Sequence, residues 1–325
     1  MRVPKLKTPE AFRSHTDSLR IDLPCDDHVL PAAESPLSTP LDIIKLNGKT
    51  AGNRIAIHPM EGWDGTKTGG VTEEMKRRWQ RFGMSGAKLI LGGEAMAVRH
   101  DGRANPNQLI ISNENKSEIA GLLELLLDSH QEKYDTTEDL VVGFQLTHSG
   151  RFCRPNEHSQ FEPRVAYRHP ILDSKFKVTS DKQIWTDDEI DELIQCYIRA
   201  ARIATDIGAD FVDIKHCHGY LLHEFLGAHT RPGRYGGSFE NRTRILSQII
   251  NGIRSDRNQI DIIVRLSAFD LVPFRSDPEK SSSGKLGPGI PENFSHCLPY
   301  NYGFGVNPDN PLEYDLNEPQ KFIKL

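Results

Sequence analysis

Cysteine is scarce in this chain. The five residues at positions 25, 153, 196, 217 and 297 are odd in number and form no CxxC pair. That fits reduced thiols in a cytoplasm better than a disulfide framework. Long apolar runs are also missing. No stretch approaches the ~20 residues that cross a bilayer, and mean hydropathy is −0.51. The opening MRVPKLKTPEAFRSH is positively charged but has no apolar segment behind it, so it does not read as a signal peptide. Positive charge is not in excess. The 40 Lys plus Arg and 45 Asp plus Glu of the 325 residues leave a formal charge of −5, which excludes a generally basic nucleic-acid binder. The expectation is a cytoplasmic protein with a small-molecule substrate and no nucleic-acid or membrane partner; a homo-oligomer is compatible with it.

Several site signatures are absent too. There is no GxxxxGK[ST] phosphate loop, no GxGxxG turn after a strand and no GxSxG nucleophile elbow. His223-Glu224 opens like a zinc-protease motif, but position 227 is Gly. His216, Cys217 and His218 put three ligand types side by side. Neighbours on a strand point to opposite faces, so all three do not readily reach one ion, and no metal site is expected.

What is present has a clear grammar. Residues 1–53 read as a loose N-terminal leader rich in Pro and Ser. From Arg54 onward, short apolar runs predict buried strands over 54–58, 87–92, 140–146, 211–215 and 260–266. Helices lie between them. The clearest spans 187–207, with a T-x-x-E capping box at Thr186 and Glu189 and an apolar stripe through Ile190, Leu193, Ile194, Tyr197, Ile198 and Ala201. Gly208 stands where a left-handed residue closes that helix. Met75, Trp79 and Phe82 mark a second helix, which Gly83 is expected to close. Ile119, Leu122, Leu123 and Leu126 mark a third, and Ile245, Ile249, Ile250 and Ile253 a fourth. Strands alternating with helices imply an α/β fold with a parallel sheet. The stretch 275–311, rich in Ser, Gly, Pro and Asn, is too long for an ordinary connection and reads as a lid or a disordered insertion. Residues 317–325 look like the start of another helix.

Polar residues gather at the C-terminal ends of the predicted strands, where parallel α/β folds bind ligands. Strand by strand these are His58-Pro59-Met60-Glu61, then Gly93-Glu94-Ala95, then Gln145, His148 and Arg151. The fourth strand ends in Lys215-His216-Cys217-His218 with Tyr220 just beyond, and the fifth carries Arg265.

The segments VGFQLTHSGR (142–151), VDIKHCHGYLLHEFL (212–226), RYGGSFENR (234–242) and IIVRLSAFD (262–270), with HPMEGWDG (58–65) and LILGGEAMAV (89–98), resemble the Old Yellow Enzyme family. Its members are NADH:flavin oxidoreductases and FMN-dependent ene-reductases on a TIM (β/α)8 barrel. The resemblance runs from about Arg54 to Asp270 and implies a flavoprotein using FMN with NADH or NADPH as reductant. It implies that Gln145 bonds the pyrimidine edge of the flavin and that Arg265 lies by its N1 and O2. It further implies that Pro59, Met60, Glu61 and Ala95 line the ring. Lys215 and His218 would be paired donors to a substrate carbonyl. Tyr220 would be the proton donor to an activated alkene receiving hydride from flavin N5. Trp63 would stand in the substrate pocket. The RYGGSFENR residues would fix a loop and the next helix.

Three departures stand out. Lys215 occupies a position where the family usually has His. Its charge would suit an acidic substrate group or, on the same fold, an oxidative demethylase or amine dehydrogenase. Glu61 replaces a usual Thr or Cys, and Lys67 is a candidate partner for its carboxylate. Finally, about five of eight strand–helix units are legible. The chain is therefore expected to be C-terminally truncated relative to the family: an incomplete barrel over 54–325, with a non-catalytic fragment as the other reading.

Overall fold

The computed structural model describes residues 3–255 and 260–325. Its centre is a parallel sheet of β3 (Ala56–Ile57), β4 (Leu89–Ile90), β6 (Val141–Thr147), β7 (Phe211–His216) and β8 (Asp261–Leu266), hydrogen-bonded in that order. A short β5 (Ala95–Ala97), not expected from the sequence, pairs with the upper half of β6. It forms because the chain bends at Gly92-Gly93. Gly92 has φ +143, and a Cβ on Gly93 would lie 2.4 Å from the Trp79 ring. β3 and β8 end the sheet, and no strand bridges them among the described residues.

Four long helices connect the strands: α2 (Glu73–Met84), α3 (Lys116–Tyr134), α5 (Asp187–Asp206) and α7 (Phe239–Arg254). α5 starts at the Thr186–Glu189 capping box and ends before Gly208, whose φ is +92. α2 does not stop at Gly83. Gly83 lies inside its last turn, where a Cβ would come 2.2 Å from the Leu126 carbonyl oxygen. The residue is a contact point between α2 and α3, and Gly86, at φ +84, makes the left-handed turn instead.

The two faces of the sheet differ in composition. Phe144, Leu146, Val212 and Ile214, with Val264, pack outward with the apolar stripes of the helices in one large core. The alternate residues point inward. Their lower layer is apolar, with Val141 and Phe211 packed on Leu46 and Ala51. Those two come from an antiparallel hairpin, β1 (Leu41–Leu46) and β2 (Lys49–Ala51), turned by Asn47-Gly48 with both φ values positive. The hairpin plugs the N-terminal mouth of the arc. Asn47 N donates to Asp261 Oδ2 at 2.6 Å, and Asn47 Nδ2 donates to Asp210 Oδ1 at 3.0 Å. The first 53 residues thus hold this hairpin and a capped helix, α1 (Pro9–Ser18). Neither shows a sustained apolar period, because the hairpin buries little more than Leu46 and Ala51.

The segment after β8 is ordered. β9 (Phe274–Ser276) pairs with β10 (Gly289–Pro291), and Val272, Cys297, Tyr300 and Val306 bury together. The segment docks through Tyr167 Oη, which donates to Tyr302 O at 2.8 Å, and through a 3.3 Å contact between Tyr300 Oη and His169 Nε2. Three further short α-helices lie among the described residues: α4 (Leu172–Phe176), α6 (Leu221–Leu226) and α8 (Asn317–Phe322). No described helix is long and apolar enough to cross a membrane.

Candidate active site at the C-terminal mouth of the sheet

The upper inner layer is polar. Strand register sets Ala95 beside Gln145, Gln145 beside Asp213, and Lys215 beside Arg265. Gln145 is fully buried and donates Nε2–H to Asp213 Oδ2 at 2.6 Å, while the Arg265 amide donates to Asp213 Oδ1 at 3.0 Å. Burial pushes the Asp213 carboxyl up to about 6, outweighing those bonds and the nearby charges of Arg265 and Lys215. Asp213 was not expected as a site residue. An acid at the same strand parity as Lys215, inside an apolar run, is the sequence signal for it.

Above this row lies a three-residue cluster. Buried Lys215 forms an ion pair with Glu61, and its Nζ stands 3.7 Å from the centroid of the Tyr220 ring. Burial, then the Glu61 carboxylate, holds the Tyr220 phenol well above its usual range. The partner of Glu61 is therefore Lys215. Lys67 is exposed, and its carbonyl accepts Arg103 Nη1 at 3.0 Å. The loop carrying Glu61 is fixed from behind. Buried Glu94 accepts the Gly62 amide at 3.0 Å and pairs with Arg78, which also holds Asp64 at 2.7 Å.

His218 reaches the mouth through a tight turn. The Tyr220 amide donates to Cys217 O at 3.2 Å across His218 (φ +62) and Gly219 (φ +70), a type I′ turn. Burial, then the charges of Lys215 and Arg265, lowers the His218 pKa, so its imidazole is neutral near pH 7. His216 faces the other way, fully buried with its ring 5.6 Å from that of Phe322.

Other expected residues sit differently. Met60 is 73% exposed, and its carbonyl accepts the Ala95 amide at 3.1 Å. The Ala95 carbonyl accepts Gln108 Nε2 at 2.6 Å, so both backbone groups of Ala95 are engaged. Pro59 is buried beneath that loop. Trp63 is 57% exposed and stacks on His158, with centroids 5.2 Å apart, rather than on the Lys215–Tyr220 cluster. His148 and Arg151 serve structure. Arg151 binds Asp173 at 2.6 Å and Glu224 at 2.5 Å, and His148 Nδ1 accepts the Gly150 amide at 3.1 Å. The RYGGSFENR segment ties helices together. Arg234 reaches Asp191 at 2.8 Å, and Arg242 pairs with Glu318 of α8.

The leftover bonding capacity suits a flavin. Gln145 Oε1 is buried without a partner among the described residues. The half-buried Arg265 guanidinium makes no hydrogen bond or ion pair among the described residues. An unpaired amide acceptor and an unpaired cation on one inner face match a ring edge that offers N–H beside carbonyl oxygens.

Comparison with known proteins identifies the family. The profile of the NADH:flavin oxidoreductase / NADH oxidase family matches residues 37–280. An NADPH dehydrogenase from Geobacillus sp. is 33% identical over 233 residues, covering 70% of this chain and 63% of the relative. An NADH:flavin oxidoreductase from Gibberella zeae is 28% identical, covering 70% of this chain and 56% of its own length. The chain thus spans less than two thirds of these curated relatives. Among solved structures, Old Yellow Enzyme from Pichia sp. superposes with a TM-score of 0.59 at 23% identity over 73% of this chain and 61% of that one. The Old Yellow Enzyme homologue from Zymomonas mobilis gives 0.57 at 26% identity over 72% and 64%. The sheet and its helices are accordingly an arc of a (β/α)8 barrel.

Proposed function

The chain belongs to the NADH:flavin oxidoreductase / NADH oxidase family, and from that premise we propose that it works as an FMN-dependent NAD(P)H oxidoreductase on an activated alkene conjugated to a carbonyl. The observation that carries this reading is the pair of unsatisfied groups on the inner face, Gln145 Oε1 and the Arg265 guanidinium, next to the Lys215–Glu61–Tyr220 cluster. Gln145 and Arg265 would hold the flavin ring, which when bound supplies hydride.

The chain's own residues supply orientation and a proton. Tyr220 holds its proton at neutral pH, since burial and Glu61 both disfavour the phenolate, and it is the group that would pass that proton to the substrate. Neutral His218 offers an N–H to the substrate carbonyl oxygen. Lys215 is held over Tyr220 by Glu61, which makes its first task to position the donor ring and balance the Glu61 charge. An oxidative demethylase or amine dehydrogenase reading draws on a free Lys215 charge, and the pairing with Glu61 removes that support.

Full-length protein purified under native conditions and then denatured is expected to release FMN. Release of FAD alone, or a protein that FMN cannot reconstitute, would overturn the assignment. Gln145→Leu and Arg265→Met should each weaken FMN binding, read by titration of the flavin absorbance.

A further inference from the structure

His223 is buried in α6, 2% exposed, and plays no part in the chemistry above. Its Nδ1 accepts the Gly219 amide at 2.7 Å. That bond places a lone pair on Nδ1, so the neutral ring carries its proton on Nε2. Nε2 faces Asp270 Oδ2 at 3.5 Å, a polar contact without hydrogen-bond geometry that leaves Nε2 with no other partner among the described residues. The same Oδ2 accepts the Phe304 amide at 2.9 Å, and the Asp270 amide donates back to Phe304 O at 2.7 Å. A line of polar contacts thus runs from Phe304, through Asp270 and His223, to Gly219. Gly219 is the centre of the turn between His218 and Tyr220. A cavity of about 90 Å³ lies along this line, walled by Tyr167, His169, Glu224 and Tyr300 among others.

The turn requires such support. His218 is a non-glycine residue in the left-handed region, a conformation that costs ~1 kcal/mol or more. The Gly219 amide would lose its acceptor if His223 withdrew.

We propose that His223 is a positioning residue: with Asp270 it latches the segment after β8 to the turn that presents His218 and Tyr220. Docking of residues 270–306 then fixes the donor geometry, so that segment regulates the proton donor from a distance. The functional meaning rests on the reading of Tyr220 as proton donor, but the linkage itself is measurable without flavin or substrate.

Amide hydrogen exchange on the 325-residue protein tests it. Asp270→Ala does not remove a group touching Gly219, yet it should speed Gly219 exchange about tenfold, the loss of roughly one buried hydrogen bond. His223→Leu should do the same, and the double variant should exchange no faster than His223→Leu alone. His223→Asn, whose Oδ1 takes the place of Nδ1, should restore Gly219 protection and make it insensitive to Asp270→Ala. Long-range nitrogen–proton NMR should show the Nε2–H tautomer of His223. Unchanged Gly219 exchange in Asp270→Ala, an Nδ1–H tautomer, or an equal rise at Ile214 in β7, which would signal global loosening, would each overturn the proposal. Failure of Tyr220 as proton donor would leave these exchange results standing, so the two readings fail separately.

Discussion

Lys215 and Glu61 stand 154 residues apart in the chain and meet in an ion pair beside the Tyr220 ring. The Lys215 side chain is 4% exposed and that of Glu61 21%, so neither charge is well solvated without the other. Removing one partner is therefore costlier than removing both. Lys215→Met should destabilise the protein by ~1–3 kcal/mol, and adding Glu61→Gln should recover at least half of that. Urea unfolding of the four-member cycle measures the coupling. Additive losses would mean that the pair contributes nothing specific.

Tyr220→Phe keeps the ring beneath Lys215 and removes only the hydroxyl. In the flavin-loaded enzyme it should slow alkene reduction by roughly a hundredfold or more and leave flavin reduction by NAD(P)H nearly intact. Stopped-flow absorbance separates the half-reactions. Equal losses in both would make Tyr220 structural.

Asp213 gives a pH signature. Its folded pKa is raised from 3.8 to about 6, so between those values the folded state binds more protons than the unfolded one. Stability from this group therefore falls as pH rises from about 4 to 6, and the penalty persists at pH 7. Asp213→Asn should flatten that slope, raising stability at pH 7 relative to pH 4. The net gain is smaller than the full ~3 kcal/mol of the shift, because Asn offers one acceptor to Gln145 Nε2 and Arg265 N where Asp offers two. Urea midpoints at pH 4, 5, 6 and 7, taken as a difference between variant and parent, isolate the effect. A parallel offset at every pH would contradict it.

Gly83→Ala sets helix propensity against packing. Propensity alone favours Ala by up to ~1 kcal/mol. The new methyl would meet the Leu126 carbonyl of α3, which as backbone cannot swing aside. A net loss of ~1–3 kcal/mol is expected, with the melting temperature as the readout. A stabilised variant would show that α2 and α3 can separate at little cost.

How far each feature could be read in advance depended on its range. The five strands and the Thr186–Glu189 cap are written in local periodicity and spacing, and they were legible. Gln145, Lys215 and Arg265 were named through the family resemblance, and the strand register sets Gln145 beside Asp213 and Lys215 beside Arg265. The partner of Glu61 was not, since nothing local distinguishes Lys67 from Lys215 and only the register of β7 brings the latter near. Gly83 misled for a related reason. A glycine near a helix end looks like a stop, and the neighbouring helix that needs its bare Cα is more than forty residues away in sequence. The leader's hairpin hid because two buried side chains make no period. Asp270 and His223 could not be coupled without knowing where the segment after β8 lands.

The Asn47–Asp261 bond that seats the N-terminal hairpin spans 214 residues. During synthesis, at roughly 5–20 residues per second, its acceptor emerges some ten seconds or more after its donor. Leu46 and Ala51 cannot be covered until Val141 and Phe211 have both arrived. The hairpin is therefore made well before the strands that seat it. Until then the floor of the barrel arc has no plug, and seating the hairpin carries the closure entropy of a loop of that length.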